Sequence, residues 1–488
     1  MYRIPPSLSR SSQGESVPLL DEVQDDLEDQ PRSIKPAATP LPKFQLSIAC
    51  LIRITDPILY TQMFPYINEF ILFLHLTNEP SQAGFYSGLF DSVFGIAQFA
   101  ATYHWSKLSN RIGRKPVILV GTIGVALSTM YLGLSTTLTE LLISRVIGGI
   151  FGGTASVVQS VVGDLCDVSN QAAAFPIYAL GWPIGSITGP LLGGMLANPA
   201  EKYGSFFQNS IFSIHPYLLP GLVSGVFTLL CVLFAHFYLE ESLRKKPVVD
   251  SLNELSSDEP EISVKQLLSI PIIRILAISV FSLNVNGGAF DFLFVLFCYT
   301  PLEHGGLSFS SSTIGLALSA SGLVYAFLQL FIMPVMLKRV EATTLYSITI
   351  ASWPVLFAVL PIIHIIARHG LGETELLSRI VVGAGVAFVL ITSKIGQEAY
   401  SLSMVLTKTN TSDDPALLAV SNGIMSCAMS LARIVGPVLA SSVFAVSQQY
   451  HLLGGYFWAL IMVCSCLLTC KLSRDVASQS QSSLVCYT

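Results

Sequence analysis

Long apolar stretches separated by short polar segments run through most of this chain. A helix that crosses a membrane needs about 20 largely apolar residues. Twelve stretches of this kind lie at approximately 45–73, 84–106, 116–136, 139–163, 173–197, 217–239, 270–299, 313–336, 344–367, 376–406, 417–447 and 453–472. The pattern predicts an all-α polytopic membrane protein with twelve transmembrane helices.

A polar segment between the sixth and seventh apolar stretches divides these predicted helices into two groups of six. The first 44 residues are polar and acidic in patches, a composition typical of disordered chain. We therefore predict a disordered cytosolic tail over 1–44, a six-helix half over 45–239, a cytosolic loop over 240–269, a second six-helix half over 270–473 and a short cytosolic tail over 474–488.

The distribution of cations predicts the orientation of the chain in the membrane. Short cytosolic loops are enriched in Lys and Arg. If the N-terminal tail is cytosolic, the segments on its side contain 18 of the 26 Lys and Arg residues. The loops on the opposite side then contain only Lys202 and Arg368. This asymmetry places both termini in the cytosol.

Composition supports a membrane protein and argues against several other classes. Hydrophobic residues make up 52% of the chain and charged residues only 12%, whereas soluble proteins carry about 25% charged residues. The net charge of −5 gives no reason to expect a nucleic-acid partner. The chain has no CxxC pair, HExxH, GxSxG or P-loop motif. We therefore predict neither an enzyme nor an ATP-driven pump, with no metal and no cofactor.

Two apolar stretches six positions apart in the predicted order share one pattern of small residues. The segments GWPIGSITGPLLGG and AMSLARIVGPVLASS align when Gly189 and Pro190 are set against Gly436 and Pro437. Small residues every four positions allow close helix packing, and proline bends a membrane helix. The predicted packing and bending residues are Gly181, Gly185, Gly189, Pro190, Gly193, Gly194, Gly436 and Pro437. The repeat indicates a duplicated six-helix unit.

The segment WSKLSNRIGRKPVIL, residues 105–119, concentrates positive charge between the second and third predicted helices. Gly113 permits a tight turn there, and proline just after it favours the start of a helix. An amide stands at position 110, where an acid would have paired with the neighbouring cations. The residues of this predicted gating loop are Lys107, Asn110, Arg111, Gly113, Arg114 and Lys115.

These motifs resemble those of the major facilitator superfamily, whose members have two six-helix halves with a binding site near the membrane midplane. The family's loop motif Gly-x-Leu-Ala-Asp-Arg-x-Gly-Arg-Lys is matched at 106–115, with departures at Ser106 and Asn110. SRVIGGIFGG is similar to the family's arginine motif of the fourth helix, and GWPIGSITGPLLGG to the fifth-helix motif of the drug:proton antiporter branch. Trp105 resembles the zinc-induced-facilitator-like subgroup and its fungal relatives.

The resemblance implies the major facilitator fold and secondary active transport by alternating access. It implies proton-coupled export, by antiport, of a small organic molecule, drug, metabolite or chelate, with the proton gradient as the energy source and a monomer as the working unit. In related transporters the charged loop holds the outward-open state, so Asn110 implies a weaker latch. The alternatives are a proton-coupled uptake symporter for a sugar, organic acid or metal chelate, and a non-transporting membrane sensor.

Ionisable groups inside a membrane cost about 2.5–3.5 kcal/mol each on insertion scales, so each is a functional candidate. Arg53 and Asp56 are three residues apart, which predicts an ion pair on one helical face. The resemblance adds a role in proton coupling for the arginine of the fourth helix. The proton-coupling candidates are Asp56, Asp91, Arg145, Asp291 and Glu398.

Polar groups in the apolar stretches define candidates for a substrate cavity. Lys394 and Glu398 are four residues apart and are predicted to be neighbours on one helix face. Gly287 and Gly288 are predicted to loosen the seventh helix beside its two asparagines. The cavity candidates are Gln62, Asn284, Asn286, Lys394, Gln397, Tyr400 and Arg433.

The N-terminal tail contains a pattern that resembles an acidic dileucine sorting signal. Glu15 lies four residues before the pair Leu19 and Leu20. The interpretations that remain open are a plasma-membrane protein and a protein of the vacuolar or endosomal membrane.

Overall fold

The computed structural model describes residues 39–77, 83–166, 170, 174, 177–208, 210–243, 264–370, 375–411 and 415–485. Within these ranges the chain is helical and contains no β-strand. Residues Leu41–Thr488 belong to one compact unit. The predicted sorting signal at Glu15, Leu19 and Leu20 lies outside the described residues.

Eight labelled helices make up the first half of the chain. They are α1 (Lys43–Thr61), α2 (Ile67–Phe73), α3 (Ala83–Ile112), α4 (Arg114–Leu134), α5 (Leu138–Gly152), α6 (Ala155–Leu165), α7 (Gly181–Leu196) and α8 (Leu218–Tyr238). Between α7 and α8 lie short helical turns at Pro199–Lys202, Ser205–Gln208 and Ile211–Ile214.

Seven further labelled helices make up the second half, after a short helix at Val264–Ser269. They are α9 (Pro271–Tyr299), α10 (Ser311–Phe327), α11 (Met333–Arg339), α12 (Ala342–His369), α13 (Glu375–Asn410), α14 (Pro415–Gln449) and α15 (Phe457–Val485). A π-helical turn, Leu328–Ile332, joins α10 to α11, and 3-10 turns lie at Leu302–His304 and Leu452–Gly455.

The all-α, multi-pass membrane architecture predicted from the sequence is confirmed. Among the described residues, nine helical stretches are long and apolar enough to cross a membrane. The first predicted span is broken into α1 and α2 by a turn at residues 62–66, which includes Pro65. The second predicted span corresponds to α3, which is long enough but too polar to be among the nine. The fifth predicted span contains α7, which is only 16 residues long. The last helix, α15, continues to Val485 through most of the predicted C-terminal tail.

Capping sets the start of α5, the helix that carries Arg145. The Thr137 side chain accepts a hydrogen bond from the Glu140 backbone N–H, and the Glu140 carboxylate accepts one from the Thr136 N–H at 2.7 Å. These bonds satisfy donors that a helix start otherwise leaves open. The helix ends at Gly152, and a turn at Gly153 and Thr154 separates it from α6.

Buried apolar side chains form two clusters. The larger includes most of the second half together with α2 and neighbouring residues of the first half. The smaller lies within the first half, where Ile48, Val161 and Ala235 pack together. Large apolar side chains such as Leu230 and Phe237 are 60% and 70% exposed. In a multi-pass protein this outer surface faces lipid.

Candidate functional site

A buried ion pair joins α3 and α5 inside the first half. Arg145 Nη2 lies 3.4 Å from Asp91 Oδ1, and the Asp91 side chain has no exposed surface. The Tyr60 hydroxyl donates a hydrogen bond of 3.2 Å to Asp91 Oδ2. The Arg145 guanidinium also lies 4.5 Å and 4.3 Å from the ring centres of Phe90 and Phe94. The pair is thus desolvated and depends on its own partners for compensation.

Arg433 extends this cluster into the second half. Its Nη1 donates to Gln98 Oε1 at 3.1 Å, and its guanidinium lies 5.3 Å from the centre of the Tyr60 ring. Gln98 Nε2 in turn donates to the Gly152 carbonyl at 3.1 Å. Tyr60 therefore contacts Asp91 with its hydroxyl and Arg433 with its ring. We call Tyr60, Asp91, Gln98, Arg145 and Arg433 the interhalf cluster.

A second group of ionisable residues lies inside the second half. Lys394 Nζ donates to Gln397 Oε1 at 3.1 Å and lies 6.0 Å from the Tyr325 ring centre. Asp291 interacts electrostatically with Lys394. Neither carboxylate oxygen of the buried Glu398 has a hydrogen-bond partner. Lys394 therefore bonds to Gln397, and the predicted one-turn neighbours Lys394 and Glu398 do not form an ion pair.

The predicted pair of Arg53 and Asp56 is present on α1, about one helical turn before Tyr60. Arg53 Nη1 lies 3.1 Å from Asp56 Oδ2, and both side chains are partly exposed. These two residues line a cavity of about 30 Å³ together with Thr122 and Thr154. A space of this size holds about one water molecule. The ion-pair partner of Asp56 is thus Arg53 and not a cation of the interhalf cluster.

Three of the predicted cavity residues use their amides in hydrogen bonds within the protein, and for two of them the partner is on a different helix. Gln62 Oε1 accepts a hydrogen bond of 3.0 Å from Ser224 Oγ of α8. Asn286 Nδ2 donates to Thr469 Oγ1 of α15 at 2.8 Å, and its Oδ1 accepts from Ser465. Asn284 Nδ2 donates to the Val280 carbonyl within its own helix. Their amides are used in packing.

The expected loosening of the seventh helix is not observed. Helix α9 runs without interruption through Gly287 and Gly288. A Cβ at Gly287 would instead collide with the Tyr400 hydroxyl of α13. This glycine therefore allows close approach of a neighbouring helix. The i→i−4 hydrogen bonds of α9 continue through it.

The two small-residue stripes contact equivalent helices in the two halves. Cβ atoms placed at Gly181, Gly185, Gly189 and Gly193 would meet residues 53–62 along α1 and the turn that follows it. A Cβ at Gly436 would lie 2.8 Å from the Val285 carbonyl of α9. Gly194 faces away from α1, toward α10 of the other half. The stripes thus bring helix backbones together, as their spacing predicts.

Polar ties add to the contact between α7 and α10. Lys202 Nζ donates to the Gly194 carbonyl at 2.8 Å and to Ser311 Oγ at 3.2 Å. Ser312 Oγ donates to the same carbonyl at 2.9 Å. Burial lowers the pKa of Lys202, and the nearby Glu69 opposes that shift. We call this end of the bundle the Lys202 end.

The charged loop lies at the opposite end, which we call the Arg114 end. Gly113 has φ +110°, a conformation that favours glycine, and it starts α4. Arg114 Nε lies 2.8 Å from Asp164 Oδ2, and its Nη1 donates to Asn110 Oδ1 at 3.0 Å. The carboxylate of Glu241 accepts from the Arg114 and Lys115 backbone N–H groups, as an anion does at a helix N-terminus.

The remaining cations of the loop, Lys107 and Arg111, are exposed. Sequence reasoning missed Asp164 and Glu241, although both acids lie on the predicted cytosolic side next to the loop. It also missed Tyr60 and Gln98. Arg114 thus contacts residues of the first half and Glu241, which follows α8 in the segment between the halves.

We expect Asn110→Asp to strengthen the loop, because a carboxylate adds charge to the hydrogen bond that Arg114 already makes there. At this exposed position the gain in the free energy of unfolding is about 0.2–1 kcal/mol. Thermal unfolding of the purified protein measures it, with Arg111→Gln as a matched loop variant. If Asn110→Asp left both the conformational balance and the transport rate unchanged, the latch hypothesis would be wrong.

A bundle of apolar helices that encloses buried ion pairs, with both halves meeting at one end, is the architecture of a secondary transporter. Residues 58–437 match the family model described as Major Facilitator Superfamily, and the chain belongs to that superfamily. It is therefore a transport protein and not an enzyme, as predicted.

Relatives agree with the predicted branch. The chain is 35% identical to a major facilitator-type transporter of Psilocybe cyanescens, over 90% of this chain and 91% of that protein. It is 26% identical to a major facilitator superfamily multidrug transporter of Aspergillus fumigatus, over 87% of this chain and 82% of that protein. Identity to Zinc induced facilitator-like 1 of Arabidopsis thaliana is 27%, over 84% of this chain and 85% of that protein.

Solved structures share the fold. A bacterial homologue of the human lysosomal transporter Spinster, in an inward-facing and occupied conformation, matches with a TM-score of 0.63. The match covers 90% of this chain and 98% of that structure at 15% sequence identity. The family model and the sequence relatives confirm the resemblance to the drug-efflux-like branch and to the zinc-induced-facilitator-like proteins.

Proposed function

We propose that this protein exports a small organic molecule in exchange for protons by alternating access. The observation that carries the proposal is Asp91, a buried acid whose ion pair with Arg145 lies beside the contact between the two halves. A carboxylate in this position can hold a proton inside the membrane. The proton gradient then supplies the energy, without a cofactor, and the working unit is a monomer.

In the proposed arrangement the chain has twelve spans, cytosolic termini and the Arg114 end in the cytosol. The hydrogen bonds that join the halves include those of Ser92 with Ile434 and of Ser319 with Ile187. These contacts lie from the middle of the bundle toward the Lys202 end. The state described is therefore closed on the non-cytosolic side, and substrate enters from the cytosol.

The charge balance of the interhalf cluster suggests how the exchange proceeds. An ionised Asp91 offsets the positive charge of Arg145 in a site from which water is excluded. When Asp91 takes up a proton, the charge of Arg145 loses that compensation. The cluster must then rearrange, and its link through Tyr60 to Arg433 carries the change to the second half. Release of the proton restores the pair.

Export is favoured over uptake by the multidrug transporter among the relatives and by the fifth-helix motif. An uptake symporter would use the same buried groups with opposite net direction. The plasma membrane and the vacuolar or endosomal membrane are the proposed locations.

Transport into proteoliposomes that contain a pH-sensitive dye tests the proposal. Across a panel of organic cations, anions and neutral solutes, we expect solute and protons to move in opposite directions. Asp91→Asn should reduce this pH-driven flux by about tenfold or more, since tenfold equals only about 1.4 kcal/mol. Glu303→Gln, at an exposed acid, is the matched control. Movement of both species in the same direction would support the symporter instead.

A further inference from the structure

A second internal repeat links α3 and α10, the helices of the second and eighth predicted spans. Residues 88–95 read GLFDSVFG and residues 315–322 read GLALSASG. Both follow the pattern Gly-Leu-x-x-Ser-x-x-Gly. The glycines are Gly88 and Gly95 in one copy and Gly315 and Gly322 in the other.

The serine of each copy donates a hydrogen bond across the boundary between the halves. Ser92 Oγ of α3 donates to the Ile434 carbonyl of α14 at 2.7 Å. Ser319 Oγ of α10 donates to the Ile187 carbonyl of α7 at 2.8 Å. Each acceptor lies three residues before a proline inside its helix, Pro437 in the first case and Pro190 in the second. The two contacts are therefore equivalent in position, although the Ser319 hydroxyl also lies 2.8 Å from the Gly315 carbonyl of its own helix and can donate to either acceptor.

The glycines explain how a short hydroxyl can reach a backbone carbonyl. A Cβ at Gly88 would lie 2.9 Å from the Pro437 carbonyl oxygen, and one at Gly315 would lie 2.5 Å from that of Pro190. Two helical turns after Gly88, a Cβ at Gly95 would lie 3.3 Å from Cγ1 of Ile434. The helix backbones are thus in direct contact. Pro437 and Pro190 have no N–H, so the carbonyls four residues earlier lose their helical donor, and the acceptors Ile434 and Ile187 belong to the same loosened turn.

We infer that Ser92 and Ser319 are paired latches that hold the Lys202 end closed and must both break when that end opens. They are positioning residues, since their hydroxyls contact the opposite half and act on the relative position of the halves. The inference rests on the proposed alternating access. Because each latch ties the second helix of one half to the fifth helix of the other, the two bonds lie on equivalent sides of the boundary.

Neighbouring serines offer matched controls on the same helices. Ser87 Oγ donates to the Gly84 carbonyl of α3, and Ser321 Oγ donates to the Leu318 carbonyl of α10. All four serines are buried. Ser87→Ala and Ser321→Ala therefore remove a hydroxyl of the same kind without removing a bond between the halves.

Amide hydrogen exchange of the full chain in lipid nanodiscs, read by mass spectrometry, tests the latches. For Ser92→Ala and for Ser319→Ala we expect about threefold faster exchange in the contact segments 84–95, 187–196, 311–322 and 434–441, and about eightfold in the double variant. At the Arg114 end, exchange should slow in the same variants, because in alternating access the opening of the Lys202 end closes the Arg114 end. The control variants should exchange as the unmodified chain does.

Two results would overturn the inference. One is exchange in the latch variants equal to that of Ser87→Ala and Ser321→Ala. The other is faster exchange at both ends together, which indicates general loosening or misfolding. The readout is independent of transport, so a latch response in a chain without proton-driven flux would reject the proposed function and keep the latches.

Discussion

Replacement of Arg145 by methionine is expected to lower the free energy of unfolding by about 3–5 kcal/mol, the cost of leaving a buried charge without its partner. The Asp91 carboxylate would then retain only the Tyr60 hydroxyl as a hydrogen-bond donor. Phe90 and Phe94 flank the guanidinium in the unmodified protein. Their apolar rings cannot compensate the negative charge of Asp91 once the guanidinium is gone. The loss should exceed that of any single exposed ion pair.

The double variant Asp91→Asn with Arg145→Met separates stability from transport. Because neither charge remains, most of the lost stability should return, whereas proton-driven flux should not. Thermal unfolding followed by tryptophan fluorescence gives the first quantity and the proteoliposome assay gives the second. Arg114→Met serves as the control, since its pair with Asp164 is partly exposed and is worth about 0–1 kcal/mol. A double variant less stable than Arg145→Met would contradict the argument.

Replacement of Gly315 by valine should prevent the Lys202 end from closing. A Cβ at this position would meet the Pro190 carbonyl oxygen at 2.5 Å and the Gly194 Cα at 2.9 Å. Both are backbone atoms, so no side chain can move aside. Overpacking of this kind costs about 1–3 kcal/mol. We expect the closed state to lose up to about a hundredfold in population, and transport to fall with it.

Gly383→Val provides the control for this variant. A Cβ at Gly383 of α13 would have no heavy atom within 4 Å, so the same substitution adds no collision. Solute flux and hydrogen exchange at 187–196 and 311–322 are the measurements. Equal flux in Gly315→Val and Gly383→Val would show that the contact of α7 with α10 is not required for the transport cycle.

The helices follow from the apolar pattern because a membrane span needs many consecutive apolar residues, and these leave a strong signal. Contacts between helices leave a weaker signal in the sequence. The pair of Arg53 and Asp56 was predictable because both residues lie on one helix at a spacing of three. The pair of Asp91 with Arg145 was not, since the order of helices around the bundle decides which faces meet.

The second half shows the same limit. Spacing places Lys394 and Glu398 on one face of α13, but Lys394 donates to Gln397 on that helix, and the acid that acts on its charge is Asp291 on α9. Asn286 was expected in a cavity, and α15 satisfies its amide instead. By contrast, the Gly-Leu-x-x-Ser-x-x-Gly repeat was visible in the sequence, and only its contacts with α7 and α14 required the structure.

The two copies of that repeat differ at one position in a way that separates two properties of the bundle. Asp91 precedes Ser92, whereas Leu318 precedes Ser319. The backbone fit between halves is thus present twice, but the acid is present once. A hypothetical chain built from two second halves would keep the interlocking shape and have no carboxylate at this point. In this duplicated fold, the backbone packing between the halves and the buried carboxylate can therefore change independently of each other.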